Sequence, residues 1–119
     1  MPEGPEIHRA AHKIAQAIAG QTATGLFFAF KSLKPYRARL TGQKIERVEA
    51  RGKAILINFE NGLIIYSHNQ LYGKWEITAA HQYPDTNRQL RLAIHTAEKS
   101  ALLYSASDIE VLTDKTLAS

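Results

Sequence analysis

A chain of 119 residues and 13.3 kDa, 45% hydrophobic and 22% charged, has the size and composition of one ordinary globular domain. It has no cysteine, which excludes a disulfide scaffold, a cysteine nucleophile and a thiolate zinc site within these residues. Lys and Arg exceed Asp and Glu by 15 to 11, and the resulting +4 suits a polyanionic partner. No apolar run is long enough to cross a membrane, and the N-terminus, with Glu3 and Glu6, lacks the apolar stretch of a signal peptide, so the expectation is a soluble intracellular protein.

The first element reads as a helix from Pro5 to Ala19. Pro5 stands where a first-turn proline is tolerated, since its missing N–H would be unpaired anyway. Ile7, Ala11, Ile14 and Ile18 recur at helical spacing on one face, and Gly20 offers a left-handed stop. From Thr24 the pattern turns to strands: Thr24 to Phe30, Lys44 to Ala50, Ala54 to Phe59 and Leu63 to Ser67. Asn61-Gly62 between the last two runs predicts a hairpin with a type I′ turn. Trp75 to Thr78, Gln89 to Thr96 and Ala101 to Ser105 are further short strands, and His81 to Arg88 is a loop. Many short strands with turns between them predict a mainly β fold: a two-sheet antiparallel β-sandwich or flattened barrel, flanked by the N-terminal α-helix. The polar tail from Thr113 to Ser119 reads as a domain boundary.

The residues with most chemical content stand at the start, Pro2-Glu3-Gly4-Pro5-Glu6. Removal of Met1 would leave Pro2 with a free secondary amine. An α-amino group titrates near 8, so roughly a tenth of it is neutral and nucleophilic at pH 7. Attack of a secondary amine on a sugar carbon gives an iminium cation, an electron sink that acidifies the neighbouring C–H. Glu3 beside the amine can act as general acid or base, and Glu6, three residues on, lies on the same side of the helix. Gly4 lets backbone approach a ligand closely, and the helix N-terminus presents unpaired N–H groups to an anion.

Three runs together resemble the formamidopyrimidine-DNA glycosylase and endonuclease VIII family of base-excision repair enzymes. These are Pro2-Glu3-Gly4-Pro5-Glu6, Arg51-Gly52-Lys53 and His68-Asn69-Gln70-Leu71-Tyr72-Gly73. The run Ser67 to Gly73 resembles the bacterial endonuclease VIII form; where formamidopyrimidine-DNA glycosylases usually carry a methionine, Leu71 stands here. The resemblance implies a bifunctional DNA glycosylase and AP lyase. Pro2 would be the Schiff-base nucleophile at C1′, Glu3 the acid that helps open the sugar ring, and Glu6 a support of the same pocket. Lys53 would contact phosphate and assist β-elimination. Gln70, Leu71 and Tyr72 would fill the gap left by the flipped-out base, which suits an apolar wedge, an aromatic ring and an amide beside an orphaned partner base.

The same resemblance implies damaged double-stranded DNA as partner, a monomer in the cytoplasm without membrane attachment, and oxidised pyrimidines as lesions. Residues 1–119 correspond to the N-terminal catalytic domain of longer family members. The family's structural zinc and the arginine of δ-elimination belong to a C-terminal part, so no cofactor is expected in this chain. Such a domain alone should bind DNA weakly and turn over little, because many phosphate contacts are missing. Two other readings stand beside it: a non-catalytic nucleic-acid-binding β-sandwich and an N-terminal-proline tautomerase. The basic segment Lys31 to Arg39, with Tyr36, either tracks phosphates or is a solvated loop. Among the histidines only His8 and His12 have a ligand-like spacing, and a third ligand is missing.

Overall fold

The computed structural model describes residues 5–68, 74–84, 86, 88–106 and 108–113. Helix α1 runs Pro5–Ile18 and is followed by β1 (Gly25–Phe28), a 3-10 turn (Lys31–Leu33), the short helix α2 (Tyr36–Leu40) and β2 (Ile45–Arg51). Strands β3 (Ala54–Phe59), β4 (Leu63–His68), β5 (Lys74–Ala79), β6 (Leu90–His95), β7 (Lys99–Tyr104) and β8 (Ile109–Thr113) complete the order. All pairings are antiparallel, in two four-stranded sheets ordered β1-β6-β7-β5 and β2-β3-β4-β8. The fold is therefore the expected sandwich with an N-terminal helix. Among the described residues no strand closes the two sheets into a barrel.

Strand alternation assigns the faces. Ile55, Ile57 and Phe59 of β3, Leu63 and Ile65 of β4, Leu92 and Ile94 of β6, and Ala101 and Leu103 of β7 point between the sheets. The apolar stripe Ile7, Ala11, Ile14 and Ile18 of α1 joins the same core, against β2 of one sheet and β7 of the other. Helix α1 stops where its glycine stands: Gly20 has φ +81, and its N–H donates to the Ile45 carbonyl at 2.7 Å. The outer face of the second sheet is also covered. Leu56 and Ile64 are buried there with Ala54, half-buried Tyr66 packs against them, and Arg47 and Arg51 flank Glu49 along β2, which pairs with Leu56.

Two local expectations need correction, and one strand is added. The β3–β4 hairpin exists, but its turn is not type I′. Gly62 alone has positive φ (+89), and its N–H donates to the Phe59 carbonyl at 3.1 Å. That is a turn centred on Glu60 and Asn61 with the left-handed residue after it, the three-residue alternative to a two-residue hairpin loop. Asn61 serves instead through its side chain, which accepts from Leu63 N–H at 3.2 Å and donates to the Arg39 carbonyl at 3.1 Å. The segment Lys31 to Arg39 is no loop; it forms the 3-10 turn and α2, anchored by buried Leu33 and Leu40. Ile109–Thr113 forms an edge strand on β4, so the sheet extends through Thr113. No helix among the described residues is long and apolar enough to cross a membrane.

Candidate active site

The chemistry expected from the sequence gathers at one end of the sandwich. Arg51 of β2 pairs with Ala54 of β3, so Gly52 and Lys53 form a two-residue connection. Gly52 has φ +59, and Lys53 is not among the residues of positive φ. This is the pattern of a type II′ turn, which takes glycine at its first central position because that backbone conformation strains any residue with a Cβ. Glycine thus fixes the tight turn, and the turn holds Lys53 half-buried at the tip of the hairpin rather than inside β3.

Helix α1 ends beside the start of β2: Gly20 N–H meets the Ile45 carbonyl, and Ile45 N–H donates to the Gln21 carbonyl at 2.8 Å. Fourteen helical residues span roughly 21 Å and seven strand residues roughly 23 Å. Packed on β2 with its last turn beside Ile45, α1 begins toward the Gly52–Lys53 end of that strand. His68, the last residue of β4, pairs with Ala54, next to Lys53. The chain then passes through 69–73 to Lys74, the first residue of β5 in the other sheet. The first turn of α1, the Lys53 turn and the end of β4 thus share one end of the molecule.

Of the expected site residues, Lys53 stands at this end, and Glu6 belongs to the first turn of α1. Pro2 and Glu3, together with Gln70, Leu71 and Tyr72, lie outside the described residues. His8 and His12 are exposed on α1. His68, which sequence reasoning used only as part of a motif, emerges as a site residue of its own. Its Nδ1 is buried and finds no hydrogen-bond partner among the described residues, and the same holds for Nε1 of Trp75 beside Lys74. A buried polar atom without a partner costs about 1–3 kcal/mol. Two of them flanking the same segment mark this end as one with hydrogen-bonding capacity in reserve. The ionic surroundings are basic with local pairing: Arg47 and Arg51 approach Glu49 at 3.4 and 3.8 Å, and Lys74 meets Glu76 at 3.2 Å.

A second cluster lies on the outer face of the β1-β6-β7-β5 sheet, and sequence reasoning did not anticipate it. The row Gly25, His95, Ser100 and Thr78 crosses all four strands. His95 Nδ1 lies 2.7 Å from Ser100 Oγ, and its Nε2 lies 2.8 Å from the Tyr83 hydroxyl. The His81 ring stacks on His95 at 4.4 Å, and Tyr83 meets His95 edge-on at 5.6 Å. Burial and then the charge of His81 hold the His95 imidazole below its ordinary titration range. Burial, then Glu76, then Tyr83 push the Tyr104 phenol above its own.

Residues 1–107 match the family described as the formamidopyrimidine-DNA glycosylase N-terminal domain. Over 117 residues, 98% of this chain, the sequence is 56% identical to Endonuclease 8 of Salmonella paratyphi B and of Salmonella typhimurium strain SL1344. The chain spans 44% of the length of these relatives. Among solved structures it is similar to MutM in complex with DNA containing carbocyclic 8-oxo-G, with a TM-score of 0.84 and 18% identity over 98% of this chain and 47% of that one. It is also similar to Lactococcus lactis formamidopyrimidine-DNA glycosylase bound non-covalently to AP-site DNA, with a TM-score of 0.82 and 16% identity over 98% and 47% of the two chains. At such identities the structural likeness speaks for the fold, whereas the sequence match runs from before α1 to beyond β7. The chain belongs to the formamidopyrimidine-DNA glycosylase family, in which it corresponds to the N-terminal domain.

Proposed function

We propose that this chain is the N-terminal part of a base-excision DNA glycosylase and AP lyase that removes oxidised bases, chiefly pyrimidines, from double-stranded DNA. The observation that carries this reading is the Gly52–Lys53 turn at the end of the molecule where α1 begins. A half-buried cation at the same end of the molecule as a helix N-terminus suits a phosphate between them. Family membership and the 56% identity to proteins named Endonuclease 8 support the same activity.

The chemistry follows from the residue types. The Pro2 nitrogen, freed of Met1, attacks C1′ of the damaged nucleotide; the N–C1′ bond forms as the bond from C1′ to the base breaks, and the proton lost from the nitrogen leaves with the base. The nitrogen lone pair then expels the ring oxygen, which takes a proton from Glu3, and an iminium ion results. Loss of a C2′ proton sends the electron pair toward the iminium and expels the 3′ phosphate. Loss of the C4′ proton then expels the 5′ phosphate, and water releases the sugar remnant from Pro2. Lys53 neutralises the phosphate that departs first, Glu6 supports the Glu3 pocket, and Gln70, Leu71 and Tyr72 occupy the space of the extruded base. The protein works on DNA as a cytoplasmic monomer.

Borohydride trapping on a duplex with one abasic site tests this, using residues 1–119 joined to the C-terminal part of a Salmonella Endonuclease 8. The expected product is a reduced adduct that mass spectrometry maps to the Pro2 nitrogen, absent when Met1 is retained and that nitrogen is an amide. A crosslink on any other side chain overturns the mechanism.

A further inference from the structure

The outer-face cluster opens onto a pocket of about 550 Å³, within the range of small-molecule sites. Its floor is β1, the edge strand of its sheet, from Gly25 to Phe28. One side carries the aromatic groups His81, Tyr83 and His95; Lys34 and Arg37, from the 3-10 turn and α2, supply positive charge from another segment. Along β5, Thr78 in the cluster row lies four residues from Lys74, so the pocket and the Lys53 end are separate places on the molecule.

Each wall has a feature that folding alone does not require. His81 has φ +60, a left-handed backbone that a residue with a Cβ adopts at a cost. It is held there by its N–H to Ser100 Oγ at 2.9 Å and by the stack on His95. His95 in turn has both ring nitrogens engaged, so the ring that His81 stacks on cannot rotate freely. Among the described residues, Phe27 (40% exposed) and Tyr83 (52%) are the two large hydrophobic side chains left open to solvent, and both line the pocket. Lys34 and Arg37 are exposed and enter no ion pair among the described residues. The edge strand adds main-chain groups: Ala29 N–H donates to the Arg91 carbonyl at 2.9 Å, so alternation turns the peptide groups of Leu26 and Phe28 away from β6.

Fixed aromatic faces, an open strand edge and two unpaired cations in one cavity ask for a flat, hydrogen-bonding ring system that carries an anion. We propose that this pocket binds a nucleobase carrying a 5′-phosphate, with the base against the His81, Tyr83 and Phe27 rings and the phosphate at Lys34 and Arg37. Such a group occurs as a free nucleotide or as the 5′ end of a single strand. Stacking on an aromatic surface and a charge-assisted phosphate contact each add to affinity, so both halves of the ligand are needed.

The test is titration of the 119-residue chain, followed by the imidazole NMR signals of His81 and His95 and by calorimetry. Probes are dAMP, a 5′-phosphorylated trinucleotide, adenosine and inorganic phosphate. Saturable shifts with dAMP or the trinucleotide are expected, with adenosine and phosphate each at least about tenfold weaker. The tighter of the first two identifies the source. His81→Gly removes the ring while suiting the positive φ, so the fold is kept and affinity should fall about tenfold; Arg37→Ala should do the same. Absence of imidazole shifts with both phosphorylated probes overturns the proposal, as does undiminished affinity in both variants.

Discussion

The Lys53 end and the outer-face cluster differ in how their residues come together. At the Lys53 end the chemistry is contiguous in sequence: Arg51, Gly52 and Lys53 follow one another, and the turn needs only its own glycine to form. The cluster joins Gly25, Thr78, His81, Tyr83, His95 and Ser100 across four strands and one loop, with hydrogen bonds at 2.7 to 2.9 Å. The first is a tip, reachable by a long duplex. The second is a recess whose polar atoms satisfy each other. A substitution at the tip should therefore change chemistry and leave stability alone, whereas loss of a buried hydrogen-bonding group inside the recess should cost stability and leave cleavage alone.

The largest expected effect is at Lys53. In the joined protein used for trapping, Lys53→Ala should lower strand cleavage at an abasic site roughly 10²- to 10³-fold, as loss of a positioned electrostatic stabiliser does. The urea midpoint should move little, since the side chain is only half-buried at a hairpin tip. Cleavage within a factor of about two of the parent would remove Lys53 from the mechanism.

Ser100→Ala should give the reverse. Ser100 is fully buried, and its Oγ holds both the His81 N–H and the His95 Nδ1. Without it, buried polar atoms lose their partner, which costs about 1–3 kcal/mol. Urea unfolding should register that loss while the cleavage rate of the folded fraction stays unchanged. A rate loss at Ser100 as large as that at Lys53 would mean that the two regions are coupled and would end the distinction.

The same contrast explains what could be read before folding. The periodicity of Ile7, Ala11, Ile14 and Ile18 and the apolar runs of β3 and β4 are local signals, and they marked α1 and the central hairpin nearly to the residue. Strand β8 went unread because Ile109 and Val111 offer only two inward positions, and pairing with β4 supplies the rest of its stability. Helix α2 was hidden because Leu33 and Leu40 lie among arginines and lysines whose charge dominates the segment. The Lys53 motif was legible as a string. Nothing in the spacing of His81, Tyr83, His95 and Ser100 announces a network, since only strand register brings His95 opposite Ser100 and only the loop's return brings Tyr83 to the imidazole.

The smallest expected effect is a pH dependence confined to the cluster. His95 is buried, and its protonated form is disfavoured first by desolvation and then by the neighbouring His81. The unfolded chain thus binds a proton at higher pH than the native one does. Between the ordinary imidazole value, about 6.5, and the lower native value, acidification favours unfolding. Stability contributed by the neutral ring is complete above about pH 6.5 and declines as pH falls through the native value, below which the loss levels off. His95→Gln removes this titration, so its urea midpoint should fall less than the parent's between about pH 8 and pH 5. Parallel curves for the two proteins would show that the ring carries no proton linkage.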